Sequence, residues 1–195
     1  MLKTIKNEIR ILAFDDGPFE SKSKGKTVLI GVVFRGGSFM DGLLKSEIEI
    51  DGEDAEDTIV KITNKTKHKD QLRVIMLDGI TFGGFNTVNI KTIHEKTELP
   101  VIVYLRKSPD MQLFLGAIEK LPKAEEKFRA VADAGSVYDT SIKGKKVYYQ
   151  CSGISKETAA EIIKKSSTRS MVPEPLRIAH LIATGITFGE SVGRA

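Results

Sequence analysis

The sequence predicts an α/β domain: a mixed sheet, begun by a three-strand antiparallel meander and continued by parallel strands, flanked by helices, with a hairpin and further helices added at the C-terminal end. Three observations carry this. Three apolar segments separated by short Gly- and Pro-containing turns open the chain, at Ile9 to Phe14 (IRILAF), Thr27 to Phe34 (TVLIGVVF) and Gly42 to Ile50. An amphipathic helix follows them. Then Arg73 to Lys107 reads as strand, glycine-rich loop, helix, strand, a length that suits a right-handed crossover between parallel strands.

The first strand ends in Asp15-Asp16-Gly17-Pro18, where Gly and Pro force a turn, and Lys22 to Lys26 forms a basic hairpin loop. Thr27 to Phe34 is nearly all apolar, the pattern of a central strand buried on both faces. The third strand alternates Leu44, Ser46, Ile48 and Ile50 against Lys45, Glu47 and Glu49, as a half-exposed edge does. Asp51-Gly52 ends it. Asp54 or a neighbour caps a helix running to about Lys65, with Ala55, Ile59 and Ile62 inward. A basic tip, Lys65 to Lys69, precedes the next strand.

Arg73 to Leu77 is a short apolar run closed by Asp78-Gly79. Asn86 to Lys96 places Val88, Ile90 and Ile93 at helical spacing, Leu99-Pro100 stops that helix, and Val101 to Tyr104 is the second parallel strand. Beyond Lys107, Ser108-Pro109-Asp110 starts a helix to Lys120 with Pro109 in its first turn. Pro122 opens another to about Ala132. Ser136 to Tyr149 reads as a hairpin turning at Lys143-Gly144-Lys145. Ser155 caps a helix with Ala159, Ile162 and Ile163 on one face. The last helix, opened by Pro173-Glu174 and running from Pro175 to about Ile186, returns Leu176, Ile178, Leu181 and Ile182 to the core. Three meander strands, a helix, then strand–helix–strand is the order of a ribonuclease H-like domain, and the 195 residues make one such domain.

Composition narrows the function classes. Hydrophobic residues at 41% and charged residues at 29% describe a soluble globular chain. A net charge of +4 permits a polyanionic partner without requiring one. The lone cysteine, Cys151, excludes an internal disulfide and a cysteine-cluster zinc site, and with no signal peptide it points to a cytoplasmic protein. No apolar run approaches a membrane span. His68 reads as solvated, and His94 and His180 as structural residues within their helices.

The acids carry the chemistry. In a sheet of this order the first and fourth strands are neighbours, so Asp15 and Asp78 end at equivalent heights, where open parallel sheets bind ligands. Asp51 supplies a third acid where the third strand gives way to the helix. Three carboxylates suit Mg2+ or Mn2+, and around such ions they form a phosphodiester-cleaving arrangement. Taken singly, an acid before glycine is also a common turn residue. Asp16 reads either as a further ligand or as the hydrogen-bonding start of its turn. Gly79 to Asn86 lacks the spacing of a dinucleotide or Walker loop. It either lets a nucleic-acid strand approach the acids or merely turns the chain. Lys22, Lys24 and Lys26, with Lys65, Lys67 and Lys69, are candidate phosphate contacts, with solvated loop tips as the ordinary alternative.

LDGITFGGFN followed by ELPVIVYLRK resembles endonuclease V, as do the opening AFDDG and the closing MVPEPLRIAHLIATG. FDDGPF, the RGG turn, EIDGEDA, LDGITFGGFN and VPEPLRIAHLI together are more similar still to its archaeal relatives, the endonuclease dU family. The resemblance implies a metal-dependent endonuclease cutting double-stranded DNA that contains deaminated bases, uracil in particular, with hypoxanthine as a second candidate, in DNA repair. It assigns Asp15, Asp51 and Asp78 to Mg2+ or Mn2+; the strand-ending lysine falls on Arg106 or Lys107 according to how the strand is aligned, and Lys107 is carried over to the neutralisation of developing charge.

Three departures accompany the resemblance. Asp51 stands where endonuclease V has a glutamate. The histidine just before the last helix is absent, leaving Arg169 or Ser170 as substitutes. No segment matches the aromatic–proline wedge. The alternatives are a nucleic-acid-binding protein, non-catalytic or RNA-directed, that keeps the fold, and a phosphohydrolase for free nucleotides.

Overall fold

The computed structural model describes residues 5–20 and 23–193, so Lys22 of the basic loop lies outside the described residues. The meander is β1 (Arg10–Asp16), β2 (Lys26–Arg35) and β3 (Phe39–Glu49). β2 is buried from Thr27 to Phe34, because it lies between its two antiparallel neighbours and is covered on both faces. In β3 Lys45, Glu47 and Glu49 are exposed while Ile48 is buried, the alternation of an edge strand.

Helix α1 (Ala55–Lys65) leads through a short 3-10 turn, Lys69–Gln71, to β4 (Val74–Asp78). β4 lies parallel to β1, and β7 (Val101–Leu105) lies parallel to β4. The added hairpin, β8 (Tyr138–Ile142) and β9 (Lys145–Ser152), pairs with β7 through β9. The described residues thus form one seven-stranded mixed sheet in the order β3-β2-β1-β4-β7-β9-β8, the ribonuclease H-like arrangement.

Strand periodicity sorts the core into two layers. Ile11, Ala13, Val74 and Met76 face α5 (Lys156–Ser166) and α6 (Glu174–Phe188). Leu12, Phe14, Ile75 and Leu77 face α1 and α2 (Ile90–Thr97), with contributions from α3 (Met111–Ile118) and α4 (Ala124–Asp133). Among the described residues no helix is long and apolar enough to cross a membrane.

Several local expectations are corrected. The segment after Asp78 is not a plain loop running into a helix. It folds into a small hairpin of β5 (Thr81–Phe82) and β6 (Asn86–Thr87), tipped by Gly83 and Gly84 at φ of 52° and 93°. Helix α2 begins at Ile90 rather than Asn86, where the Asn89 side chain accepts from the Lys91 and Thr92 N–H groups. The glycines therefore do not open a helix, and no phosphate cradle of that kind forms.

Asp54 stands at the start of α1, but its carboxylate accepts from Glu49 N–H and from Asn86 Nδ2. The Ala55 N–H is capped instead by Asn86 Oδ1 at 3.0 Å. Asp110 caps α3, accepting from Leu113 N–H, so Pro109 sits before the cap rather than in the first turn. The Lys65 to Lys69 tip adjoins the start of β4, about 16 Å of strand from Asp78, which places it at the opposite end of the sheet from the acids. Lys24, in the loop that follows Asp15 and Asp16, and Lys26, the first residue of β2, are exposed.

Candidate active site

The parallel pairing of β1 with β4 aligns Phe14 with Leu77, so the next residues, Asp15 and Asp78, stand side by side. Both follow the parity of Ala13 and Met76 and face α6. Asp15 is 6% exposed. Its Oδ1 accepts the Asp16 N–H at 3.0 Å, and its Oδ2 meets Nδ1 of His180 at 3.0 Å. Burial, and then the Asp15 charge, lift Asp78 to about 6; Arg106 and His180 act in the opposite direction. Arg106, just past β7, brings Nη2 to 3.7 Å from Asp78 Oδ2.

His180 follows Leu176 by four residues on α6, on the stripe that packs against β1 and β2. The Asp15 carboxylate raises its pKa above the usual imidazole value. Its Nε2 is buried and has no hydrogen-bond partner among the described residues. An imidazole therefore does reach the acids, from inside the last helix. The segment where the resemblance leaves the histidine absent is otherwise engaged. Ser170 Oγ bonds Val172, and the Thr168 and Arg169 carbonyls accept from Lys143 Nζ. The sequence signal that would have singled out His180 is its place on the apolar stripe of a helix packing on the strand that ends in Asp15.

Asp16, one residue on, points to the other face with Leu12 and Phe14. Its Oδ2 accepts the Gly83 N–H at 2.9 Å, and burial followed by the Asp15 charge lifts it to about 7. Asp51 is held on the far side of the same glycine. Its N–H donates to the Gly83 carbonyl at 2.7 Å, and its Oδ1 accepts the Phe85 N–H at 2.9 Å. Lys127, buried in α4, donates Nζ to the Phe85 carbonyl at 2.7 Å and so fixes the hairpin from behind.

The structure thus brings Asp15 and Asp78 together on one face and ties Asp51 to Asp16 through the hairpin. Among the described residues no three histidine, cysteine or acidic side chains stand close enough to enclose an ion. Lys107 is exposed beyond Arg106. His94 bonds the Leu99 carbonyl through Nδ1, and Cys151, with its thiol pushed up by burial, bonds the Ile154 carbonyl; both serve packing. Behind Gly79 lies a cavity of about 130 Å3 walled by Ile80, Leu105, Met111, Phe114 and Gln150.

Residues 7–187 match the family described as Endonuclease dU. A UPF0215 protein of Methanothermobacter thermautotrophicus is 46% identical over 194 residues, covering 99% of this chain and 95% of its own. The crystal structure of an Archaeoglobus fulgidus protein superposes with a TM-score of 0.82 at 35% identity, over 91% of this chain and 98% of that one. Ciona intestinalis endonuclease V, solved with a 24mer DNA containing an inosine followed by a ribo-adenosine, has a TM-score of 0.56 at 15% identity, over 88% of this chain and 82% of that one. That likeness shows a shared fold.

Proposed function

The chain belongs to the endonuclease dU family, and from that membership and the Asp15–Asp78 pair we propose that it is a metal-dependent endonuclease hydrolysing DNA at deaminated bases, uracil in particular, in DNA repair. The observation that carries the reading is two carboxylates side by side at the ends of parallel strands, with Asp78 lifted to about 6 by burial and by its neighbour. Buried like charges of this kind call for a cation. Two hard oxygen donors, with water and a phosphate oxygen filling the remaining positions, suit Mg2+ or Mn2+. Asp15 and Asp78 would hold the ion. Bound there, it would supply Lewis-acid stabilisation and an activated water for attack on the phosphodiester.

The chain's own residues then have distinct tasks. His180 holds one Asp15 oxygen and fixes the carboxylate's rotation, as partners behind metal ligands do. Of the two cations after β7, Arg106, beside Asp78, takes the charge-neutralising role in preference to Lys107. Asp51 acts through the hairpin, whose Gly83 N–H holds Asp16 next to the pair. The apolar cavity of about 130 Å3 at Gly79 supports inspection of a base turned out of its stack.

The test is incubation with Mg2+ or Mn2+ and end-labelled duplexes carrying uracil, hypoxanthine or neither, with Asp78→Asn alongside. Metal-dependent cutting at the lesion that disappears in Asp78→Asn is the expected result. No cutting of any duplex or single strand by the wild type would overturn the reading. Retained binding would then favour a non-catalytic or RNA-directed protein.

A further inference from the structure

We propose that the Gln150 amide tells a deaminated base from its parent, by accepting a hydrogen bond from a base N–H inside the cavity at Gly79; the inference rests on the nuclease reading above. Gln150 lies on β9 opposite Val103, which in turn lies opposite Leu77. The three share one level and one face of the sheet, where Leu77 and Val103 are apolar and fully buried. Gln150 puts an amide into that row at 5% exposure, and with Thr81 it supplies the polar side chains of the cavity lining.

The amide is held one way round. Its Nε2 donates to the Gly135 carbonyl at 2.9 Å, and no described residue donates to its Oε1. With the donor side anchored on a carbonyl, what the side chain can offer the cavity is an acceptor. Gly135 closes α4, its own N–H bonded to the Ala132 carbonyl, so the anchor belongs to a helix end. An acceptor buried among apolar groups costs stability until a donor meets it.

The cavity and the acids adjoin at the end of β4. Asp78 is its last residue, and Gly79, the next, lines the cavity. A Cβ added at Gly79 would meet nothing closer than 4.0 Å among the described residues, so the backbone there lies open. A nucleotide with its phosphate at the acids has this bare backbone to pass its base over.

The chemistry of deamination then selects the ligand. It turns the central atom of the Watson–Crick edge from an acceptor into a donor. Cytosine N3 and adenine N1 carry lone pairs, whereas uracil N3 and hypoxanthine N1 carry hydrogen. A fixed acceptor bonds either product and faces a lone pair in either parent. Thymine and guanine also carry N–H there, but correctly paired they are costlier to turn out of the stack.

The experiment compares the wild type with Gln150→Met and Gln150→Glu on duplexes carrying uracil opposite guanine or cytosine opposite adenine, so that both test bases are mispaired. In parallel, fluorescence anisotropy measures binding of single strands with one uracil or one cytosine, with Gln, Met or Glu at 150 in an Asp78→Asn background. The expected result is that the ratio of uracil to cytosine cutting falls about tenfold or more in Gln150→Met, through loss on uracil. Gln150→Glu keeps an acceptor oxygen and should keep the preference. A residue that only anchored Gly135 would instead slow both substrates alike. An unchanged ratio in Gln150→Met, an equal loss of preference in Gln150→Glu, or a wild type indifferent to the two bases overturns the proposal. Absence of all cutting, with strand binding that prefers uracil only with Gln or Glu at 150, would overturn the nuclease reading and leave the base discrimination standing.

Discussion

Asp15 and Asp78 stand at the same height on neighbouring parallel strands, on the face that α6 covers. The folded chain therefore holds acids that resist ionisation. Asp78 titrates near 6 and Asp16 near 7, against 3.8 for an ordinary aspartate. In the folded state these protons bind more tightly than in the unfolded state, so stability falls as pH rises from 3.8 through those values and levels off above them. Asp78→Asn removes part of this penalty. Its melting temperature should exceed that of the metal-free wild type at about pH 8, with the gap closing toward about pH 4. Thermal melts across that range check the sign.

The cation beside the acids is Arg106, with Nη2 3.7 Å from Asp78. Arg106→Ala should lower the cutting rate by about tenfold or more, because the positive charge next to the reacting phosphate is lost. Lys107→Ala, removing an exposed lysine beyond it, should cost much less. Single-turnover rates at saturating metal compare the two.

Two glycines, one in the β5–β6 hairpin and one in α3, give stability predictions of opposite sign. At Gly84, φ is 93° and an added Cβ would lie 2.3 Å from Asp51 Oδ1, so Gly84→Ala should destabilise the fold by about 1–3 kcal/mol. At Gly116, inside α3, an added Cβ meets nothing within 4 Å among the described residues, and Gly116→Ala should stabilise by about 0.5–1 kcal/mol. Denaturant unfolding measures both.

His180 is predicted to act on Asp15 through its Nδ1. His180→Ala should weaken metal affinity and the cutting rate by roughly tenfold, the usual cost of losing a partner behind a metal ligand. His180→Asn can still donate to Asp15 and should recover part of the loss. Equal defects in the two variants would show that the contact with Asp15 is not what matters.

Much of this architecture was legible because strand parity and turn chemistry are local. The alternation in β3, the apolar run of β2 and the Lys143-Gly144 turn each identify themselves, and the element order then implies that β1 and β4 pair. What sequence could not display is contact between distant segments. Asn86 caps a helix that starts 31 residues before it, so it is engaged elsewhere and α2 starts only at Ile90. His180 lies 165 residues from Asp15, and only the packing of α6 on β1 joins them. The Asp51 side chain looks toward the acids in sequence logic, yet the Phe85 N–H of the hairpin bonds it. Asp78 ends β4 and Arg106 follows β7, and the pairing of those two strands brings them into contact.

The most direct test is calorimetric titration of Mn2+ into the wild type, Asp15→Asn, Asp78→Asn and Lys107→Ala. Saturable binding by the wild type and Lys107→Ala that is lost in both aspartate variants is the predicted result. Undiminished binding in Asp15→Asn and Asp78→Asn would contradict the assignment of the ion to this pair.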